Sequence, residues 1–447
     1  MSAKPYIVIL GAGESGCGAA LLAQKQGYEV FVSDKGSIKE KYKTFLNHHQ
    51  IPFEENQHSE DKILNASEII KSPGIPEKAP LIKKLREQKT SIIDEIEFAL
   101  RYTNAKIIGI TGTNGKTTTT LLTYHILEKA GYSVGLAGNV GKSLALQVAL
   151  ENYEYYVVEL SSFQLDGMIN SRIHIGILTN ITPDHLDRYE YKLENYVNSK
   201  FRILQNQTET DAFIYCADDE ITAKALQSIQ LKAQAYPISI KTKVEQGAYL
   251  ENNQIIIKTP NSTFNMFIEE LALQGKHNTY NSMAAGVTGK LVDIRNENVR
   301  QSMSDMESVE HRMEPVAKVF GIQFINDSKA TNVNSTWYAL ESMQTPTIWI
   351  AGGQDKGNDY NELRALVKAK VKAIVCLGKD NSKIIEAFKD LVPNIVETDN
   401  ADDAVRYSYK LGTKGDTVLL SPACASFDLF DNYEDRGKQF KRAVRAL

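Results

Sequence analysis

Residues 109–120 read GITGTNGKTTTT. The apolar run AKIIGIT (105–111) leads into them, and LLTYHILEKAG (121–131) continues a helix that Gly131 should end. A strand, a tight glycine turn carrying Lys116 and Thr117, and a helix are the parts of a phosphate-binding loop. A strict Walker A needs glycine at position 110; Ile110 stands there, so the match is to G-x-x-G-K-T. The mechanics survive this departure. The amides of 112–118 (Gly112, Thr113, Asn114, Gly115, Lys116, Thr117, Thr118) are expected to face phosphate oxygens. Lys116 reaches the outer phosphates and the Thr117 hydroxyl suits Mg²⁺.

The same strand-then-helix rhythm runs through most of the chain. YIVIL (6–10) precedes a glycine turn and a predicted helix from about Ser15 to Gln26, with Gly27 as its stop, and YEVFVSD (28–34) is the next strand. YYVVEL (155–160) and IHIGILTN (173–180) are further strands. YLENNQIIIKT (249–259) reads as a hairpin around Glu251–Asn253, part of a small antiparallel sheet appended to the middle of the chain. From about Glu314 the rhythm resumes with KVFGIQFIND (318–327), TIWIAGG (347–353), AIVCLG (373–378) and TVLLSP (417–422), each expected to be one strand. The fold class is α/β, with mostly parallel sheets covered on both faces. Three domains are expected, at 1–103, 104–310 and 311–447.

Composition narrows the classes. The chain has 447 residues, 42% hydrophobic and 24% charged, and a net charge of −4, which offers no bulk attraction to nucleic acid or an anionic membrane. Its apolar runs fall well short of the roughly 18 residues a span requires, and the opening run reads as a first strand and not as a signal peptide. The cytoplasm is the expected compartment. Cys17, Cys216, Cys376 and Cys424 form no C-x-x-C pair, so a zinc site or disulfide framework is not expected, and all four read as buried small hydrophobes.

Two more sites are readable. GAGESG (11–16), with Asp34 at the end of the next strand, fits the dinucleotide fingerprint G-x-G-x-x-G in its proper context, a site for a diphosphate at a helix N-terminus. Glu159 ends a strand in VVELSSFQL and His185 follows another in NITPDHLDRY; both strands belong to the sheet that carries the phosphate loop, so both residues should reach its edge as metal ligands. Lys200, on a helix starting near Leu193, reads from its pattern alone as a solvated lysine.

Taken together, GTNGKTT, ELSSFQL, NITPDHLDRY, NSKFRI, GKHNTYN (275–281), EHR (310–312) and NDSKATN (326–332) resemble the Mur ligases of bacterial cell-wall synthesis, over nearly the whole chain. The resemblance implies a Rossmann-like UDP-binding domain, a central P-loop ATPase domain and a Rossmann-like C-terminal domain. GGQDKGNDY (352–360) and LSPACASFDLFDNYEDRG (420–437) look like the D-glutamate-adding branch, and the DNPR signature of the diaminopimelate- or lysine-adding branch is absent. By this resemblance the substrates are UDP-N-acetylmuramoyl-L-alanine and D-glutamate, and the cofactors are ATP and two Mg²⁺ ions, with Mn²⁺ as an alternative. Lys116, Glu159, His185 and Lys200 become catalytic. Thr117 and Glu159 hold one ion, and His185 and a carbamylated Lys200 hold the other. Asn278, Asn281, Arg312 and Asp327 join the ATP site. Glu14, Ser15, Asp34, Lys35, Gly74, Asn139 and His185 surround the UDP substrate, and Thr331, Lys356, Ser426 and Phe427 form the D-glutamate pocket. Tyr433 stands near that pocket where related enzymes carry Phe.

Other readings stay open. Lys356 can also be read as a turn lysine, and Ser426 as the cap of a helix through FDLFDNYEDRG or as serving both roles. A folylpolyglutamate synthase shares the loop and metal residues but lacks the first hundred residues. A nicotinamide-dependent oxidoreductase would rest on GAGESG and Asp34, and an ATP-driven switch would form no amide. Monomer is the expected state.

Overall fold

The computed structural model describes residues 5–306 and 310–447. The start of the first predicted domain and the residues just before the second predicted boundary lie outside them. The chain forms two compact units: one runs through Gln274 and includes Asn278–Met306, and the other holds Gly275–His277 and the C-terminal part to Leu447.

The first unit contains two sheets. Strands β1 (Tyr6–Leu10), β2 (Glu29–Ser33), β3 (Phe53–Glu54), β4 (Glu68–Lys71) and β5 (Ser91–Ile93) form a parallel sheet in the order β3-β2-β1-β4-β5. Its central strand is apolar throughout because both faces are covered: Ile7 and Ile9 enter one core, Val8 and Leu10 another. The helix after β1 spans Glu14–Lys25, starts after Gly13, and gives way to Gly27 at φ 84°.

The second sheet has nine strands: β6 (Lys106–Thr111), β7 (Val134–Gly138), β8 (Tyr155–Glu159), β9 (Ile175–Leu178), β10 (Ala212–Cys216), β11 (Gln234–Ser239), β12 (Gly247–Glu251), β13 (Gln254–Thr259) and β14 (Ser262–Phe267). Their order is β14-β13-β12-β11-β10-β9-β6-β8-β7. The hairpin forms as expected, with Asn252 and Asn253 both at positive φ. It is not a separate sheet, however. β12 pairs parallel with β11, so the hairpin and β14 extend the main sheet. Ile255, Ile257, Phe264 and Met266 continue the core under β6, which is why the extension stays in register.

One apolar core reaches from Ile7 and Ile9 to Tyr156, Val158 and Phe213, joining the first sheet to the second. Helix Glu14–Lys25 crosses helix Leu144–Leu150 at Gly18, where a Cβ would sit 2.1 Å from Ser143 Oγ and 2.9 Å from Leu146 N. Gly18→Ala should destabilise the protein by about 1–3 kcal/mol through this overpacking, read as a lowered midpoint in urea.

The second unit carries β15 (Glu314–Val319), β16 (Ile322–Asn326), β17 (Thr347–Gly352), β18 (Val371–Leu377), β19 (Ile395–Thr398) and β20 (Thr417–Ala423), in the order β15-β16-β20-β17-β18-β19. All pairs are parallel except β15–β16. The run 318–327, expected as one strand, is instead a hairpin that turns at Phe320 (φ 46°) and Gly321 (φ 84°). Two consecutive left-handed residues reverse the chain where its apolar content alone suggested continuation.

Candidate active site

The phosphate loop joins β6 to the helix Lys116–Lys129, with Gly115 (φ 82°) just before the helix. Gly112 (φ 142°) admits no side chain, because a Cβ would fall 1.9 Å from Thr179 Oγ1. The loop is anchored on the end of β9. Thr113 N donates to Asn180 O (2.9 Å), Asn114 N donates to Asn180 Oδ1 (2.9 Å), and Thr179 Oγ1 donates to Asn114 O (2.6 Å). This corrects the expectation that all amides of 112–118 face phosphate: those of Thr113 and Asn114 hold the loop's shape. Thr117 and Thr118 lie buried in the first helical turn, whose positive dipole end favours an anion. Asn281 packs behind the loop, accepting from Thr119 Oγ1 (3.1 Å) and donating to Asn278 Oδ1 (3.1 Å).

Two lysines converge on one carbonyl. Lys116 Nζ donates to Gly112 O and Thr113 O, each at 2.8 Å, and Lys200 Nζ donates to the same Gly112 O at 2.8 Å and to Thr111 Oγ1 at 3.3 Å. Lys200 sits on the helix Leu193–Phe201 and is 1% exposed, so its sequence reading as a solvated lysine is wrong. The helix turns that residue inward under the loop. Burial first, and the Lys116 charge second, hold its pKa well below the ordinary lysine range. Tyr196, one turn earlier, places its ring 5.1 Å from Lys200 Nζ and its hydroxyl 3.2 Å from Thr113 Oγ1. No sequence signal marked this tyrosine beyond its spacing of four from Lys200.

Glu159 ends β8 in register with Ile110 of β6 and is 1% exposed. Asn139 grips it twice: Nδ2 donates to Glu159 Oε1 (2.7 Å) and the backbone N–H to Glu159 O (3.0 Å). His185 lies on the exposed rim with left-handed backbone (φ 52°), its ring edge-on to Phe163 at 5.3 Å and its backbone N–H donating to Asp184 Oδ1 (2.9 Å). Among the described residues no three His, Cys, Asp or Glu side chains group as a metal site. An ion here would therefore draw on few protein oxygens and on the substrate's phosphates, as Mg²⁺ commonly does.

At the first sheet, Asp34 Oδ2 accepts from Ala12 N (2.7 Å) and its Oδ1 from Gly36 N (2.8 Å), so the carboxylate shapes the glycine loop. The 72–75 turn abuts that loop, with Ser72 N donating to Leu10 O (2.9 Å). Glu14, Lys35 and Gly74 are exposed around this mouth and Ser15 is half-buried.

In the second unit, three loops meet at the carboxyl ends of β16, β20 and β17. Ala423 N donates to Ala330 O (3.0 Å), and Gln354 bridges Ala425. These contacts bring together the loops bearing Thr331, Lys356, Ser426 and Phe427. Ser426 is buried, while Lys356 is exposed in a turn and Phe427 is 66% exposed. Ser426 does not cap a helix: that helix begins only at Tyr433, capped by Asn432, whose side chain accepts from Asp435 N. Asp327 accepts from Ser421 Oγ (2.9 Å) and Met313 N (3.2 Å), and burial pushes its pKa up to about 7. Arg312, half-buried, lies on the same unit. Arg436, overlooked within NYEDRG, is the knot of these loops. It is 1% exposed and donates to Ser328 O (2.8 Å), Ser328 Oγ (3.0 Å) and Cys424 O (3.2 Å). A buried arginine on such a charged helix is invisible to periodicity. All four cysteines are free and buried, as expected.

A strand–loop–helix phosphate cradle with two converging lysines, at the edge of an α/β sheet, defines a nucleotide-binding protein of the P-loop class. Comparison with known proteins makes the class specific. Residues 110–289 match the Mur ligase middle domain, 311–424 the Mur ligase glutamate ligase domain, and 6–80 the MurD N-terminal domain. The UDP-N-acetylmuramoylalanine–D-glutamate ligase of Christiangramia forsetii is 56% identical over 441 residues, and that of Bacteroides fragilis 58% over 442, each covering 99% of both chains. The crystal structure of UDP-N-acetylmuramate-alanine ligase MurC from Thermotoga maritima shares the fold at 18% identity, with a TM-score of 0.63 over 99% of this chain and 100% of that one. The chain belongs to the Mur ligase family. Among the described residues no helix is long and apolar enough to cross a membrane.

Proposed function

We propose that this chain adds D-glutamate to UDP-N-acetylmuramoyl-L-alanine, cleaving ATP to ADP and phosphate, in cytoplasmic synthesis of peptidoglycan precursors. The observation that carries this reading is whole-length identity of 56–58% to relatives bearing that name. Residues 1–103 would take the UDP moiety, 104–310 ATP and 311–447 the amino acid, in a monomer.

The chemistry follows from an energetic obstacle. A carboxylate does not acylate an amine in water, because oxide is a prohibitive leaving group. The L-alanyl carboxylate attacks the γ-phosphorus of ATP, and ADP leaves. The amine of D-glutamate then attacks the acyl phosphate, phosphate leaves, and the amine loses a proton. Lys116, released from its bonds to Gly112 O and Thr113 O, would neutralise charge on the transferred group. The helix N-terminus behind Thr117 and Thr118 holds the phosphates. Glu14, Ser15, Asp34, Lys35, Gly74 and Asn139 would orient the UDP substrate, Asn278, Asn281, Arg312 and Asp327 the ATP. Thr331, Lys356, Ser426 and the Phe427 backbone would orient the amino acid, and the closeness of their loops supports this.

Thr117, Glu159, His185 and Lys200 would hold two Mg²⁺ ions, or Mn²⁺. Bound there, the ions supply Lewis-acid stabilisation of phosphoryl oxygens. The donor set fits on one condition: the Lys200 amine must become an anionic oxygen ligand. Its burial supports this, since a neutral amine attacks CO₂ to give a carbamate and a proton.

Phosphate release from MgATP with UDP-N-acetylmuramoyl-L-alanine, testing amino acids singly, decides the reading. Release with D-glutamate and not with L-glutamate or lysine is expected. Release with another amino acid would assign a sister activity, and release without any amino acid would leave an ATP switch.

A further inference from the structure

The loop between β7 and helix Leu144–Leu150 is tied at both ends, and one end is remote from the phosphate cradle. At the near end Asn139 holds Glu159 through side chain and backbone. At the far end Ser143 Oγ donates to Glu95 Oε1 (2.7 Å), which also accepts from Ala145 N (2.6 Å). Ser143 N donates to Glu14 Oε1 (3.3 Å), at the start of the helix that follows the glycine loop. Glu95 is 2% exposed, and burial raises its pKa to about 7. A buried carboxylate costs several kcal/mol of solvation unless its bonds offset it; here the Ser143 hydroxyl and the Ala145 amide, at the start of helix Leu144–Leu150, offset it.

The intervening segment has little slack. Lys142 N donates to Leu136 O (3.3 Å), and Gln147 Nε2 braces Leu136 O (2.8 Å) and Lys142 O (3.3 Å). The turn from Asn139 to Ser143 is therefore closed on β7 and held at both ends. We infer that Glu95 and Ser143 are positioning residues: anchored beside the first sheet, they hold the 138–143 loop so that Asn139 fixes the Glu159 carboxylate for a divalent ion. The inference rests on the role given to Glu159 under the proposed function.

The test is Mn²⁺ binding to the full chain with ADP present, followed by electron paramagnetic resonance. Glu95→Ala, Ser143→Ala and Asn139→Ala should each weaken Mn²⁺ binding about tenfold, the usual cost of losing an outer partner of a metal ligand. The double variant Glu95→Ala/Asn139→Ala should lose no more than the worse single variant, because both act through one carboxylate. Glu95→Gln, which keeps an acceptor for both donors, should bind within about twofold of the parent. If Glu95→Ala does not fold, Ser143→Ala, which deletes one hydroxyl, carries the same comparison with Asn139→Ala. Unchanged Mn²⁺ affinity in the single variants, losses that multiply in the double variant, or a parent that binds no Mn²⁺ would overturn the inference. Expected Mn²⁺ shifts in a protein that shows no D-glutamate-dependent turnover would overturn the proposed function alone.

Discussion

Lys200→Ala should lower D-glutamate-dependent turnover by about a thousandfold or more, the scale of losing one charge-stabilising group at a transition state. Thermal stability should change far less, and it should be measured alongside. As a plain amine Lys200 Nζ donates to Gly112 O and Thr111 Oγ1, and it occupies a buried position beside Lys116. A second cation there would oppose metal binding; a carbamate would promote it. Two corollaries separate these states. Short carboxylates such as acetate or formate should partly restore Lys200→Ala by placing an anionic oxygen in the vacated volume. Bicarbonate labelled with ¹³C should give a carbamate carbon signal in the parent that Lys200→Ala lacks. Near-parental turnover in Lys200→Ala would end this account of the residue.

Lys116→Ala should cost a comparable factor, about a thousandfold in kcat, with a different signature. Its ammonium is parked on two loop carbonyls at 2.8 Å, within reach of any phosphate the loop receives. Negative charge builds on the departing ADP oxygen toward the transition state, so kcat should fall more than ATP affinity. Acetate should not rescue it, because the missing charge is positive. Lys116→Arg should recover little, since a planar guanidinium does not fit a site built for a compact ammonium at a helix N-terminus. A loss confined to the KM for ATP would show that Lys116 serves ground-state binding only.

The parts of this protein that were legible in its sequence are those encoded by neighbours along the chain. Apolar runs of four to seven residues became strands, and GTNGKTT and GAGESG became turns at helix N-termini. The hairpin at 252–253 follows from two asparagines that tolerate left-handed backbone. Where local signals conflicted, the reading failed: 318–327 was apolar enough for one strand, yet Phe320–Gly321 turned it back on itself. Motif logic counts the Thr113 and Asn114 amides as phosphate donors because it cannot see Asn180, 66 residues from Asn114, which accepts from both.

What only tertiary structure decided is the state of the charged groups. Lys200 meets Gly112 across 88 residues, Ser143 meets Glu95 across 48, and Arg436 meets Ser328 across 108. A polar side chain's ionisation and orientation depend on how far water is excluded and which donors replace it, and both are set by elements packed from elsewhere in the chain. Sequence periodicity fixes which face of a strand or helix is apolar, so the α/β class, the phosphate loop and the family resemblance could be read directly. It carries no information on desolvation at a given charged residue. For that reason the lysine pair on one carbonyl, the Asn139 grip on Glu159 and the arginine knot in the second unit emerged only once the chain was folded.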